Sequence, residues 1–224
     1  SFLNDHSSFY TKNAAQNLLR VRVGLARMLF MGRQRIRDIR HDELITATIT
    51  AVHKRGYAAV TMTEIAQEVG TTAASINYYF GTKENLMEAT MLRLLNLLKT
   101  AMLERYATAQ TPRDRLIAVL DANFDDRFYT VAHCNFWMQF WASAPYTDTL
   151  ARLHRINRAR VTSHFRAELR SLVPHERREA LREALQCYMD GVWLEAAQST
   201  APLNAAHARE EARYVAGLLL KNSD

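Results

Sequence analysis

From Ile39 onward, apolar side chains return every three or four positions. The pattern predicts a chain of helices. Ile39, Leu44, Ile45, Thr48 and Val52 form one stripe, which stops at Gly56, a residue suited to closing a helix. Thr61 with Glu64 three positions later forms a capping-box signature ahead of Ile65, Ala66 and Val69, and Gly70 ends that short segment. A second short helix is predicted from about Ala73 to Phe80. Thr82 then caps a long helix from Lys83 through Tyr106, in which Leu86, Ala89, Leu94, Leu97 and Leu98 keep the 3.6-residue period. Pro112 starts a further helix, and Pro145, Pro174 and Pro202 punctuate the rest into four or five longer ones. There is no convincing alternating β pattern, internal repeat or low-complexity tract. The fold class is therefore all-α, with a small head ending near Thr82 and a larger body from Lys83.

The stretch "TMTEIAQEVGTTAASINYYFGTKENL", Thr61 to Leu86, changes this picture most. Two helices that cross tightly need a small residue at the crossing. They also need a residue tolerant of positive φ in the turn and a branched apolar residue tying the second helix to the core. Ala66, Gly70 and Ile76 stand at that spacing. With Ile76 and either Tyr79 or Phe80 facing inward, Thr72, Ala73, Ser75, Asn77 and Tyr78 face outward. Short polar side chains near a helix N-terminus can enter a major groove and reach base edges and phosphates. A merely solvated helical hairpin leaves the spacing, the Tyr-Tyr-Phe ending and Lys83 unexplained.

Composition supports the reading. The 224 residues include only seven glycines and four prolines, and 48% are hydrophobic, enough for a real core. The net charge of +6 sits wholly within residues 1–40, and the remainder is balanced. A basic arm beside a polar helix pair suits a polyanion. For Arg20, Arg22 and Arg27 a solvated leader is the favoured reading. That leader, residues 1–32, contains "NLLRVRVGLARMLFMG", too short and too arginine-rich to span a bilayer and without a signal-peptide cleavage pattern. Two readings fit it: an extra amphipathic helix, or an upstream extension with Met31 as the functional start. No membrane segment is expected, and the location expected is the bacterial cytoplasm, at the nucleoid. Cys134 and Cys187 lie in apolar helical patterns and suit a reducing compartment. The eight histidines form no metal-ligand set, and no nucleophile elbow or phosphate loop accompanies the Ser, His and Asp residues. Neither an enzyme nor a cofactor or metal is expected.

Residues 38–86, above all "GTTAASINYYFGTKENL", resemble the DNA-binding head of TetR-type transcriptional repressors. The resemblance implies a three-helix helix-turn-helix head over residues 33–82 and a ligand-binding and dimerising body over 83–224. It also implies a homodimer on a palindromic double-stranded operator. Carried onto this chain, the DNA contacts fall on Arg40, Thr61, Thr63, Thr72, Ala73, Ala74, Ser75, Asn77, Tyr78, Tyr79 and Lys83. Thr71, Ala74 and Asn77 depart from the family's usual hydrophobic residue, glycine and tyrosine, so base preference is not legible.

"NFDD" (123–126), "NFWMQFWASA" (135–144), "LARLHRINRARVTSHFRAELR" (150–170) and "YMDGVWLEAAQS" (188–199) are similar to the BetI-type branch, choline-sensing repressors of glycine-betaine synthesis genes. Asp190-Gly191 is shared widely among TetR-type bodies and is weak evidence for choline. A quaternary ammonium has no N–H to donate, whereas aromatic faces attract it by roughly 0.5–2 kcal/mol each. Trp137, Phe140 and Trp141 share one helix face, Tyr188 and Trp193 lie on another helix and Phe124 on a third. Asp121 or Asp125 is the expected counter-charge. Taken singly, such rings are ordinarily core; taken together with the resemblance they favour a pocket for choline or a related quaternary ammonium. A multidrug-type cation sensor and, more remotely, a helical protein-binding adaptor are the alternatives. The segment 176–197 is expected to form half of a four-helix dimer seam, with Gly191 allowing close approach.

Overall fold

The computed structural model describes residues 40–221, and among them every regular element is helical. The basic leader 1–32 and the arginines Arg33, Arg35 and Arg37 lie outside the described residues. The chain divides into two compact units, Ser1–Leu44 and Ile45–Asp224. Of the first, only the helical residues 40–44 are described, with Arg40 paired to Glu43 at 2.8 Å.

The first described helix, α1, is helical over 40–55, and its residues in the second unit include the buried Ile45, Ile49 and Val52. It stops at Gly56, whose φ of +88° turns its N–H back onto the Val52 carbonyl at 2.8 Å. Next come α2 (Met62–Glu68) and α3 (Ala73–Phe80). Thr61 and Glu64 form the reciprocal capping box, and Thr72 caps α3 by accepting from the Ser75 N–H at 3.2 Å. The turn between them runs through Gly70 at φ +64°. A Cβ there would meet nothing within 4 Å, so the constraint on this position is the backbone conformation rather than space.

Thr82 caps α4 (Lys83–Tyr106), whose 24 residues extend about 36 Å. The body adds α5 (Pro112–Ala122), α6 (Val131–Ser143), α7 (Asp148–Leu169), α8 (Arg178–Ala197) and α9 (Ala205–Lys221). Pro112 is the first residue of α5, Pro145 sits in the 3₁₀ turn Ala144–Tyr146, and Pro174 precedes the turn His175–Arg177. The proline breaks thus fall where the lost N–H costs nothing. α6 packs along α8, while α5 packs against α4, α7 and α9. Phe124, Phe136, Phe140, Phe165 and Leu120 lie fully inside, each worth roughly 1.5–3 kcal/mol of apolar burial. Among the described residues no helix is long and apolar enough to cross a membrane.

Candidate nucleic-acid interface and aromatic cavity

α3 has two unlike faces. Ile76 and Phe80 are buried, and Ile76 is completely so. Thr72, Ala74, Asn77 and Tyr78 are exposed, while Ala73, Ser75 and Tyr79 are half-buried. Tyr78 is 82% exposed and stands edge-on to Tyr79, with ring centroids 5.4 Å apart. A ring so exposed adds little to the fold and presents a flat, hydroxyl-tipped surface to a partner. Thr72 accepts the cap bond, and its exposed hydroxyl can still donate to a partner.

The other expected contacts are more engaged. The Thr61 hydroxyl accepts from Glu64 N–H and donates to the Glu64 carboxylate at 3.0 Å, so the capping box occupies it in both senses. Thr63 is exposed on the first turn of α2. The Lys83 ammonium donates to the Ala58 carbonyl at 3.0 Å, tying the start of α4 to the loop after α1, with two protons left for a phosphate. The acids of α2 are matched by bases of α1: Lys54 with Glu68 at 2.8 Å and Arg55 with Glu64 at 3.5 Å. These pairs reduce the repulsion a polyanion would meet there.

In the body, α6 and α8 bring three indoles together. Trp137 and Trp141 are one turn apart, with ring centroids at 6.3 Å and a steep tilt, and Trp193 approaches Trp137 to 5.3 Å. With Asn157 and Arg158 of α7 and Asp190 of α8 they line a cavity of ≈ 30 Å³, room for about two waters. The Asp190 carboxylate accepts from the Arg158 guanidinium at 2.5 Å. Burial nevertheless raises its pKa above the ordinary 3.8, outweighing the arginine. His154 packs edge-on against Trp141, and burial, aided by Arg158, lowers its pKa, so the ring is neutral at pH 7.

The remaining expected ligand residues lie elsewhere. Asp121 and Asp125 do not face this cavity. The Asp121 carboxylate takes the Arg213 guanidinium of α9, with Nε at 3.0 Å. Asp125 is held by Arg105 at 2.8 Å and Arg127 at 2.7 Å. Phe124 is fully buried edge-on to Tyr129, Tyr188 is half-buried on α8, and neither lines this cavity. Phe140 stands behind the cavity, against Trp137 and His154. Asp121, near the end of α5, pairs with Arg213 of α9, and Asp125, in the turn after α5, pairs with Arg105 of α4. Sequence reasoning missed Asp190, Asn157 and Arg158 as wall residues. A signal was present: Gln186, Asp190 and Trp193 recur at i, i+4, i+7 and share one face of α8.

α6 also touches the head. The Gln139 side-chain oxygen accepts from the Tyr57 backbone N–H, and its nitrogen donates to Asn135 Oδ1 at 2.5 Å and reaches the Val52 carbonyl at 3.5 Å. One helix therefore carries two cavity indoles and a hydrogen-bonded hold on the end of α1.

Comparison with known proteins finds matches over two stretches of the chain. Residues 44–90 fit the family of bacterial regulatory proteins, tetR family, and residues 112–220 fit the BetI-type transcriptional repressor, C-terminal region. The HTH-type transcriptional regulator BetI of Burkholderia mallei is 35% identical over 186 residues, which span 82% of this chain and 95% of that protein. That of Burkholderia thailandensis is 33% identical over 83% and 95%. A TetR transcription regulator from Haloarcula marismortui shares the fold at a TM-score of 0.67 and 23% identity, over 83% of this chain and 98% of that one. A transcriptional regulator from Saccharomonospora viridis, solved in complex with choline, does so at 0.66 and 18%, over 79% and 95%.

Proposed function

Since the chain belongs to the TetR family of bacterial regulatory proteins, we propose that it senses choline or a related quaternary ammonium in the three-tryptophan cavity and controls choline-to-glycine-betaine genes in the bacterial cytoplasm. It is a ligand-responsive transcriptional repressor of the BetI type. The observation that carries the choline reading is the meeting of Trp137, Trp141 and Trp193 with the Asp190 carboxylate. Aromatic faces and one half-buried anion are what an onium without donors can use.

The operator-binding surface in this proposal is the outer face of α3. Two copies insert it into successive major grooves about one helical turn apart. The pairing face is α8 and α9, where Leu194, Tyr214 and Leu218 are exposed and Gly191 has open space in front of it. As the onium arrives it takes over from Arg158 as partner of Asp190. A cavity with room for about two waters must widen to admit it, which displaces α6 from α8. Through Gln139 that movement reaches the end of α1, and the ligand favours a head arrangement that no longer matches the operator. The extent of the shift equals the ligand's differential affinity for the two arrangements.

Narrow walls favour a single small onium over a broad cation sensor, whose pocket must accept many shapes. Calorimetry with choline and its neutral isostere 3,3-dimethylbutanol, alongside operator release, tests the reading. Choline is expected to bind more tightly and to release operator; tighter binding of the neutral compound would sink the proposal.

A further inference from the structure

Two buried donors in this cavity are left without a use by cation binding alone. The indole Nε1 atoms of Trp141 and Trp193 are both buried, and no protein group accepts from either. Both residues line the cavity that also holds Asp190. Among the described residues the buried side-chain polar atoms without a partner are these two and Nδ1 of His154, which packs against Trp141 outside the cavity lining; two such donors around one void mark a place for an acceptor. A quaternary ammonium supplies none. Its methyl groups would cover the N–H groups and separate them from any water that had served them.

We propose that Trp141 and Trp193 read an oxygen atom on the ligand, so that the cavity takes oxygen-bearing quaternary ammonium compounds and rejects purely hydrocarbon ones. This rests on the onium reading of the cavity. The indoles then have two roles: the ring faces hold the charged end, and the N–H edges hold the oxygen. Asp190 and Arg158 fix which end goes where. The carboxylate attracts the onium and repels the electron-rich oxygen, which leaves the oxygen to the indole edges. Trp137, whose ring centroid lies 6.3 and 5.3 Å from those of Trp141 and Trp193, supplies ring surface between them.

The test compares choline with n-propyltrimethylammonium, which replaces the hydroxyl by a methyl group and keeps charge and length. Binding is measured by calorimetry on the full chain. Choline is expected to bind at least about tenfold more tightly, the cost of leaving buried donors unmet. In Trp141→Phe and Trp193→Phe, which keep a ring but lose the donor, the ratio of the two affinities is expected to fall towards one, whatever happens to the affinities themselves. Equal binding of both cations by the native chain would overturn this inference and leave the onium reading standing. An unchanged ratio in both phenylalanine variants would overturn it as well. If neither cation binds, the onium reading falls and this inference with it. The comparison on the native chain needs no variant to fold.

Discussion

The side-chain oxygen of Gln139 accepts the backbone N–H of Tyr57, so a residue of α6 holds the turn that follows α1. Trp137 and Trp141 lie two residues to either side of Gln139 in sequence. Replacing Gln139 by Leu removes both the acceptor and the donor while keeping the bulk. Choline binding measured by calorimetry is expected to stay within about twofold. The factor by which saturating choline weakens operator binding is expected to shrink about fivefold, within the range of ordinary allosteric couplings. An undiminished factor would mean that coupling travels by another path.

Asn77 lies on the exposed face of α3, away from Ile76 and Phe80. Asn77→Ala is expected to cost about 1–3 kcal/mol of operator affinity and to relax preference at one base position, with no change in thermal stability. Thr72→Ala is the instructive contrast: it loses a helix cap and is expected to lower stability by about 1 kcal/mol in addition. Anisotropy titrations on operator and scrambled DNA, paired with thermal melts, distinguish the two.

Choline affinity is expected to depend on pH through Asp190. Its pKa is raised by burial, so its carboxylate begins to take up protons above the ordinary aspartate range. A cation favours the ionised form. Affinity is therefore full near neutrality and falls as pH is lowered, with proton release on binding in the acidic range. In Asp190→Asn the affinity is expected to be weaker at pH 7 and its acid limb largely lost. A native profile that stays flat down to pH 4 would remove Asp190 from the site.

Asp125 has the opposite sign. Burial alone would raise its pKa, but hydrogen bonds from Arg127 and Arg105 hold it well below the usual carboxylate range. Its contribution to stability is present above the unfolded value near 3.8 and is lost as pH falls through the depressed folded value. Asp125→Asn is expected to destabilise the chain by about 1–2 kcal/mol at pH 7, a modest figure because Arg127 is partly solvated. The gap from the native chain is expected to narrow steadily as pH falls below about 4. Denaturant unfolding at a series of pH values reads it directly.

What could be read from the sequence, and what could not, follows from the range of the interactions. The start of α4 was legible because Thr82 acts on Asn85, only three residues on. The crossing of α2 and α3 was legible because Ala66, Gly70 and Ile76 act within eleven. The three tryptophans were legible as a cluster on residue type and resemblance. The counter-charge was not. Whether Asp121 faces a ligand depends on Arg213, 92 residues later, and no local pattern announces that pairing. Asp190 was set aside because an Asp-Gly pair is common in such bodies, although its place on the Gln186–Trp193 face pointed to the cavity.

In the proposed mechanism the tightness of the tryptophan cavity also sets the concentration at which the switch responds. Work done in parting α6 from α8 is subtracted from the binding free energy, so the apparent dissociation constant is the intrinsic one divided by the small fraction of open molecules. Such a sensor stays silent at trace levels and answers only to abundance. Trimming Leu98, another wall residue, to Ala would lower that threshold by opening the void in advance. The same change would raise unprompted expression of the controlled genes, so sensitivity and silence cannot both be improved at this wall.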